Sequence, residues 1–267
     1  MAGPVLISAE LRRSLTIQRR VLHALLMREV ITRFGRHNLG ALWLVAEPML
    51  FTLGIVTLWT AVGLAHGTGI PVAAFAVTGY SSVLVWRNTV TRSNSAIQQN
   101  LNLLFHRNVR VIDVFVTRIV LEVSGATASF IILSLFFIAI GWIEPPVDLL
   151  EVAGGWSLLV WFGASLALVI GGLTAFSDLV ERIWHPLAYL LFPLSGAAFM
   201  VDWLPASIRP VAMYLPMVHG VEIVREGYFG NIVHFHYSVA YMMSVCVALT
   251  LVGLVCVREA GCRVEAQ

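Results

Sequence analysis

Lysine is absent from this 267-residue sequence, and only 12% of its residues are charged, about half the share typical of a soluble domain. The 17 basic residues are all arginine, and 15 of them fall in four segments separated by long apolar runs. The four segments are residues 1–42, 87–118, 176–184 and 258–267. Only Arg209 and Arg225 lie elsewhere. Because arginine-rich loops are retained in the cytoplasm, this distribution predicts a multi-pass inner-membrane protein with both termini cytoplasmic.

Motifs for catalysis and for metal binding are also missing. Without lysine the chain cannot complete a phosphate-binding P-loop, so it is not expected to hydrolyse ATP by that route. The sequence has no H-E-x-x-H, G-x-S-x-G or EF-hand pattern, and its three cysteines lack the spacing of metal ligands. We therefore predict no catalytic residue, no metal site and no cofactor in this chain. The formal charge of +2 does not indicate a nucleic-acid partner, because the arginines flank apolar runs.

The apolar runs have the length of membrane spans. With 58% hydrophobic residues and a mean hydropathy of +0.84, the chain provides six runs close to the ~20 residues that cross ~30 Å of hydrocarbon. The fold class expected is an all-α polytopic membrane protein with six transmembrane helices in one domain, 43–257, and a cytoplasmic tail, 258–267. The spans are predicted at 43–65, 71–88, 119–142, 154–177, 183–201 and 238–257. Their middle thirds hold almost no ionisable side chains, which argues against a carrier driven by an ion gradient.

One apolar stretch before the last span is too short to cross the membrane. Residues 210–221 number only 12 and include a proline and a glycine. We predict outer re-entrant half-helices over about 204–230, and a surface amphipathic segment is the alternative. The candidate residues of this outer region are Pro205, Arg209, Pro216 and Arg225.

The segment from Ile17 to Phe34 predicts an amphipathic helix in the cytoplasmic N-terminus, 1–42. Two apolar stripes lie between its arginines, which suits a helix at the membrane interface that contacts lipid and a partner together. A helix packed on the underside of the bundle is the alternative. The candidate interface residues are Val21, Leu25, Arg28 and Arg33.

Aromatic residues concentrate near the ends of the predicted spans. An interfacial belt explains most of them, but flat aromatic faces can also stack on sugar rings and let them slide. The residues considered for such a passage are Trp43, Glu47, Trp59, Tyr80, Trp86 and Trp184.

Three sets of residues occur in a specific order along the chain. The first is Arg33, Leu39-Gly40, Trp43 and Glu47-Pro48. The second is Asn100-Leu101, Leu103-Leu104, Val109 and Arg118 to Glu122. The third is Leu204-Pro205, Pro216, His219, Glu222, Arg225-Glu226-Gly227 and Phe229-Gly230. Together they resemble the ABC-2 type permeases that export polysaccharides, in particular the capsular polysaccharide inner-membrane permeases. His37-Asn38 departs from the small or hydroxyl residue expected there.

The resemblance implies a fold, an activity and partners. It implies the ABC-2 (type V) exporter fold and a permease that dimerises, pairs with two copies of a cytoplasmic ABC ATPase holding ATP and Mg²⁺, and passes lipid-linked capsular polysaccharide outward. It also implies a periplasmic co-polymerase and outer-membrane polysaccharide export proteins as partners. A homodimer is expected on size as well, because one six-span bundle has little room for a hydrated glycan.

Three other functions remain open at this point. An O-antigen or teichoic-acid permease would have nearly the same sequence features, and an ABC-2 drug or lipid exporter is more distant. A membrane-embedded transferase acting on lipid-linked sugars would need acidic or histidine residues that converge on one membrane face.

A permease without a phosphate loop must receive work from its ATPase by contact. Residues 98–110 are the best candidate, because apolar residues recur there at helical spacing in a predicted cytoplasmic segment that leads into the third span. A solvated loop is the alternative. The expected apolar anchor is Leu101, Leu104 and Phe105, and the expected polar rim is Asn100, His106 and Arg107.

Overall fold

The computed structural model describes residues 4–34, 39–62, 70–104, 109–230 and 232–265, and all regular structure in these ranges is helical. The long helices are α1 Pro4–Phe34, α2 Leu39–Ala61, α3 Val72–Ser93, α6 Val111–Ala139, α7 Leu149–Thr174, α8 Asp178–Leu194 and α11 Val239–Glu265. The shorter helices are α4 Ala96–Gln99, α5 Leu101–Leu104, α9 Arg209–Ala212 and α10 Pro216–Phe229, with a 3₁₀ turn at Val201–Trp203 before α9.

Four of these helices are long and apolar enough to cross a membrane. They are α2, α6, α7 and α11, counted among the described residues. The other two predicted spans correspond to α3 and α8, which do not meet the same length and composition. α8 has only 17 residues, and α3 carries polar residues such as Thr78, Ser82 and Thr89 that bond to their own helix backbone. The all-helical membrane architecture is confirmed, and the count of six spans stays a prediction.

Helix ends differ from the expected span limits where local chemistry sets them. α8 ends at Leu194 and not at 201, because Pro193 and Gly196, whose φ is +84°, terminate it. α6 begins at Val111 and not at 119, because the Asp113 carboxylate in its first turn accepts a 2.9 Å hydrogen bond from the backbone N–H of Arg110. α11 continues past the expected limit at 257 into the predicted tail. Hydropathy marks the apolar part of a helix, whereas capping residues decide where it begins and ends.

α3 and α7 form the centre of the bundle. α3 packs against α2, α6, α7 and α10, and α7 packs against α11 and α10. A Cβ atom on Gly163 of α7 would lie 2.8 Å from the Cα atom of Trp86 in α3, so the two backbones touch at this glycine. Small residues at such crossings are the usual way in which membrane helices approach closely.

The outer surface of the bundle is strongly apolar. α2, α6, α8 and α11 expose large side chains, among them Phe51, Leu135, Leu190 and Leu251, each more than half exposed. A continuous apolar surface of this kind would aggregate in water and is stable in hydrocarbon. It therefore agrees with a protein embedded in a membrane.

The N-terminal helix packs against the bundle on one side only. α1 contacts α6 and α2, and Leu25 is buried there, while Ile17, Met27 and Ile31 are about half exposed. The packed side agrees with a helix on the underside of the bundle, and the exposed apolar side chains remain available for lipid or a partner. The side chain of Arg33 lies outside the described residues.

Candidate functional site

The bundle has two ends that differ in chemistry. The basal end holds α1, α4 and α5 and the arginines of α3 and α6. The apical end holds the 3₁₀ turn, α9 and the end of α10, where the Asp148 N–H just before α7 donates to the carbonyl of Gly227. A cleft of about 460 Å³ opens at the basal end between α2 and α8, with α3 as its floor. Its lining residues are Glu47, Phe51, Leu84, Arg87, Asn88, Thr91, Arg92, Ser95, Gln99, Arg118, Glu181, His185 and Tyr189.

The cleft contains cationic, acidic and aromatic side chains together. Arg92 Nη2 lies 2.8 Å from Glu47 Oε1, and the Arg87 guanidinium lies 5.5 Å from the centre of the Tyr189 ring. The Arg92–Glu47 pair is substantially exposed, so it contributes about 0–1 kcal/mol and can exchange partners. Such a cleft can bind polar and negatively charged groups.

A second cavity of about 210 Å³ continues from the cleft between α2 and α6. It shares Glu47 and Arg92 with the cleft and adds Trp43 and Glu122. Two of the residues considered for a passage, Trp43 and Glu47, therefore line connected polar spaces, and Trp43 is 53% exposed.

The other residues considered for a passage are packed inside the single chain. Trp59 is half-buried against Phe75, at 5.9 Å between ring centres. Tyr80, Trp86 and Trp184 are almost completely buried. Trp184 Nε1 donates to Thr91 Oγ1 over 3.1 Å, which ties α8 to α3 behind the cleft. In this chain these three rings support the wall of the cleft and do not form its surface.

Sequence reasoning missed the residues of α3 and α8 that do form the surface. Glu181, His185 and Tyr189 recur every four residues on α8, and Arg87, Thr91 and Ser95 do so along α3 and just beyond its end. This spacing places each set on one helix face. A polar stripe at helical spacing on an otherwise apolar helix was the available signal.

Residues 98–104, the first part of the predicted coupling segment at 98–110, are anchored to the basal end of the bundle. Leu101 and Leu104 are half-buried and pack against a cluster that includes Phe115 and Val257. Asn100 is buried, and its side chain accepts from Arg28 Nη1 over 2.7 Å. Asn100 thus holds the turn from inside and contributes little to an exposed rim. Phe105, His106 and Arg107 lie outside the described residues, and the coupling role of the segment stays a prediction.

Arg118 connects the coupling segment to three helices. Its guanidinium donates to the Gln99 side chain and to the carbonyl of Arg92, each over 2.6 Å. Its Nε atom lies 3.3 Å from Glu29 of α1, and its side chain is only 3% exposed. Arg92 in turn contacts Glu47 in the cleft. A continuous polar network therefore runs from α1 to the cleft.

The predicted outer region holds two short helices. Arg209 Nη2 donates to the carbonyl of Asp202, and Pro205 lies in the turn that leads to α9. Pro216 occupies the first turn of α10, where its missing N–H costs nothing. α10 has 14 residues, about 21 Å at 1.5 Å per residue, which is too short to span.

The side chains of α10 are buried along most of its length. It packs against α7, α3 and α11, and Arg225 is completely buried within it. Near its end, hydrogen bonding to Glu226 and burial raise the pKa of the Tyr237 phenol above its usual range. Because α10 is buried on several sides, it agrees better with a segment inside the bundle than with a helix on its surface. Its depth in the membrane stays a prediction.

Comparisons with known proteins place these features in a family. Residues 20–229 match the family model described as ABC-2 type transporter. The chain is 41% identical over 256 residues to the capsule polysaccharide export inner-membrane protein BexB of Haemophilus influenzae, covering 96% of this chain and 97% of that protein. It is 42% identical over 254 residues to the capsule polysaccharide export inner-membrane protein CtrC of Neisseria meningitidis serogroup B, covering 95% and 96%.

A more distant relative matches over nearly its whole length. The polysialic acid transport protein KpsM of Escherichia coli is 25% identical over 243 residues, covering 91% of this chain and 94% of that protein. The family model and the near-complete coverage together show that the chain belongs to the ABC-2 type transporter family.

Proposed function

We propose that this protein is the membrane permease subunit of an ABC exporter that moves lipid-linked capsular polysaccharide across the inner membrane. The observation that supports this most is the identity of 41–42% over at least 95% of the chain to two proteins named for capsule polysaccharide export. The polar basal cleft agrees with a polar cargo. Because the sequence lacks a phosphate loop, ATP and Mg²⁺ are assigned to a separate cytoplasmic ABC ATPase.

In the proposed topology, α3 and α8 complete six spans. α3 needs less hydrophobicity than its neighbours because protein, and not lipid, surrounds almost all of it. The basal end carries most of the arginines and is assigned to the cytoplasm. Both termini then lie inside, and α9 and α10 lie at the outer face.

This topology predicts opposite labelling of two exposed positions. In a chain whose three cysteines are replaced, a membrane-impermeant thiol reagent should label Glu144→Cys in intact cells and should label Asn102→Cys only after the membrane is opened. Both residues are exposed, so in cells that lack the ATPase their access to the reagent depends on the side of the membrane alone. The reverse labelling pattern would contradict the orientation.

The passage is proposed to form between two copies of the chain. A cleft of about 460 Å³ is too small for a hydrated polymer, but it is open between α2 and α8, whose flanks are apolar and exposed. If two copies place their clefts opposite each other across a two-fold axis, the combined space is larger and the apolar flanks are covered. The active assembly is therefore proposed to contain two permease and two ATPase subunits. A periplasmic co-polymerase and outer-membrane export proteins would continue the path outward.

Contact with the ATPase is proposed at α4, α5 and α1. Two hollows of about 310 and 430 Å³ flank α4 and α5 at the basal end. The first is lined by Gln98, Leu101 and Asp178, and the second by Leu104, Ile112 and Leu254. Hollows that combine apolar and charged walls can accept a partner's side chains.

Complementation tests the function directly. The chain and its own ATPase are expressed in an encapsulated bacterium that lacks its capsule permease, and surface polymer is measured by antibody labelling of whole cells. We expect surface capsule to return, and to be lost with an ATPase whose P-loop lysine is alanine. Polymer that stays inside the cell, with both proteins present at normal abundance, would contradict the proposal. Restoration of O-antigen and not of capsule, in a strain lacking an O-antigen permease, would favour the alternative cargo.

A further inference from the structure

Arg225 belongs to α10, and its guanidinium binds carbonyl groups just beyond the C-terminal end of α8. Its Nη1 atom donates to the carbonyls of Gly196 and Phe199, each over 2.6 Å, and Nη2 donates to the carbonyl of Ala197 over 2.8 Å. These carbonyls belong to the segment that follows the C-terminus of α8. The guanidinium therefore satisfies three carbonyl groups of a non-helical segment, and its charge lies beyond the negative end of the α8 dipole.

The neighbours of Arg225 extend this contact to other apical elements. The guanidinium carbon lies 4.0 Å from the centre of the Phe75 ring of α3, and Phe75 stacks on Trp203 of the 3₁₀ turn at 5.0 Å. Glu222, one turn before Arg225, accepts from the backbone N–H groups of Val201 and His236. One buried cluster therefore joins the apical ends of α3 and α8, the 3₁₀ turn, α10 and the segment before α11.

α8 has few other attachments to the bundle. Only Trp184 and Ala188 are buried along its 17 residues, and its basal end is held by a 3.2 Å hydrogen bond between the Gln98 and Asp178 side chains. The apical end is thus bound by three charge-assisted hydrogen bonds, whereas the basal half is bound by the exposed bond of Asp178 and by the neutral bond from Trp184 to Thr91. The apical attachment of α8 is therefore the stronger one.

We propose that Arg225 is a positioning residue for export that fixes the apical end of α8, so that the wall of the cleft moves at its basal end only. The role in export rests on the proposed function, in which α8 lines the passage. The attachment itself is a property of the chain and can be measured without cargo.

Gly79 offers a way to disturb this attachment without changing a charge. A Cβ atom there would lie 2.4 Å from Arg225 Nη2 and 2.5 Å from the carbonyl oxygen of Ala197. Gly79→Ala must therefore displace the guanidinium or the end of α8. Gly154→Ala is the matched control, because a Cβ atom on this α7 glycine meets nothing within 4 Å.

The test places a nitroxide spin label at either end of α8, in the full-length permease bound to its ATPase in proteoliposomes. Ala198→Cys lies just beyond α8, in the segment that Arg225 binds, and reports on the apical attachment. Ile183→Cys reports on the basal part of α8, and both side chains are exposed. Gly79→Ala and Arg225→Met should increase the mobility of the apical label and leave the basal label unchanged. Arg225→Lys, which keeps the charge but loses the planar fork, should have an intermediate effect.

Export and ATP hydrolysis are measured on the same variants. Gly79→Ala should lower polymer export by roughly tenfold per ATP hydrolysed, the size of a lost charged hydrogen bond, while Gly154→Ala should match the unmodified protein. An apical label that stays immobile in Gly79→Ala and Arg225→Lys would overturn the proposal, as would equal mobility changes at both ends of α8. If the unmodified protein exports no capsular polymer, the proposed function fails, and the label mobilities still decide whether Arg225 fixes α8.

Discussion

Leu104→Asp should leave the protein in the membrane but abolish its association with the ATPase and its export of polymer. Leu104 is half-buried. One side packs against the cluster that includes Phe115 and Val257, and the other lines the hollow of about 430 Å³. A carboxylate there must be desolvated on both sides if a partner fills the hollow. The expected loss of binding free energy is roughly 2–4 kcal/mol, the range of an interface hot spot.

The measurement compares ATPase recovered with affinity-tagged permease, at equal permease abundance in the membrane fraction. Ser207→Asp is the control, because it adds the same charge at an exposed position of the apical end, opposite the proposed ATPase contact. We expect normal recovery of the ATPase with Ser207→Asp and at least tenfold less with Leu104→Asp, which corresponds to about 1.4 kcal/mol or more. Normal recovery and export with Leu104→Asp would show that the ATPase docks elsewhere.

The membrane architecture was predictable because it depends on local composition. Arginine distribution and apolar run length indicated an all-helical polytopic protein, and α2, α6, α7 and α11 are the helices with this character. α3 is the informative exception. Most of α3 is buried in protein, but its polar face, which includes Arg87 and Thr91, forms the floor of the cleft. The polar residues of this face lower the hydropathy of α3.

The sites were less predictable because their partners are distant in sequence or are backbone atoms. Glu29 and Arg118 are 89 residues apart, and no periodic pattern connects them. Arg225 binds three carbonyl groups, which every residue type possesses. Trp86 and Trp184 resembled passage residues by position but are buried, because an aromatic ring near a span end can face a neighbouring helix as easily as the interface.

Arg118→Met should destabilise the basal end more than any single change of an exposed charge. The arginine side chain is 3% exposed and the Glu29 side chain 12%, so the substitution leaves a largely desolvated carboxylate opposite a thioether. It also removes the donors to Gln99 and to the carbonyl of Arg92. Breaking a buried pair in this way costs about 3–5 kcal/mol. The thermal unfolding midpoint in detergent should fall accordingly.

Two further variants separate the buried pair from general charge loss. Arg92→Gln breaks the exposed contact with Glu47 and should cost only about 0–1 kcal/mol. Glu29→Gln combined with Arg118→Met should be more stable than Arg118→Met alone, because the carboxylate that was left desolvated is gone. Additive effects of the two changes would mean that Glu29 and Arg118 do not interact.

Export distinguishes coupling from stability in the same set of variants. The double variant restores part of the stability but not the bond from Arg118 to Gln99 in the coupling segment. Suppose that the network from α1 to the cleft transmits the movement of the ATPase. The double variant should then still hydrolyse ATP but should export at least tenfold less polymer per ATP than the unmodified protein. This loss corresponds to a coupling free energy of about 1.4 kcal/mol or more. If export instead recovers in parallel with stability, Arg118 acts in folding alone. Every variant with a stable basal end would then export polymer, whether or not Arg118 is present.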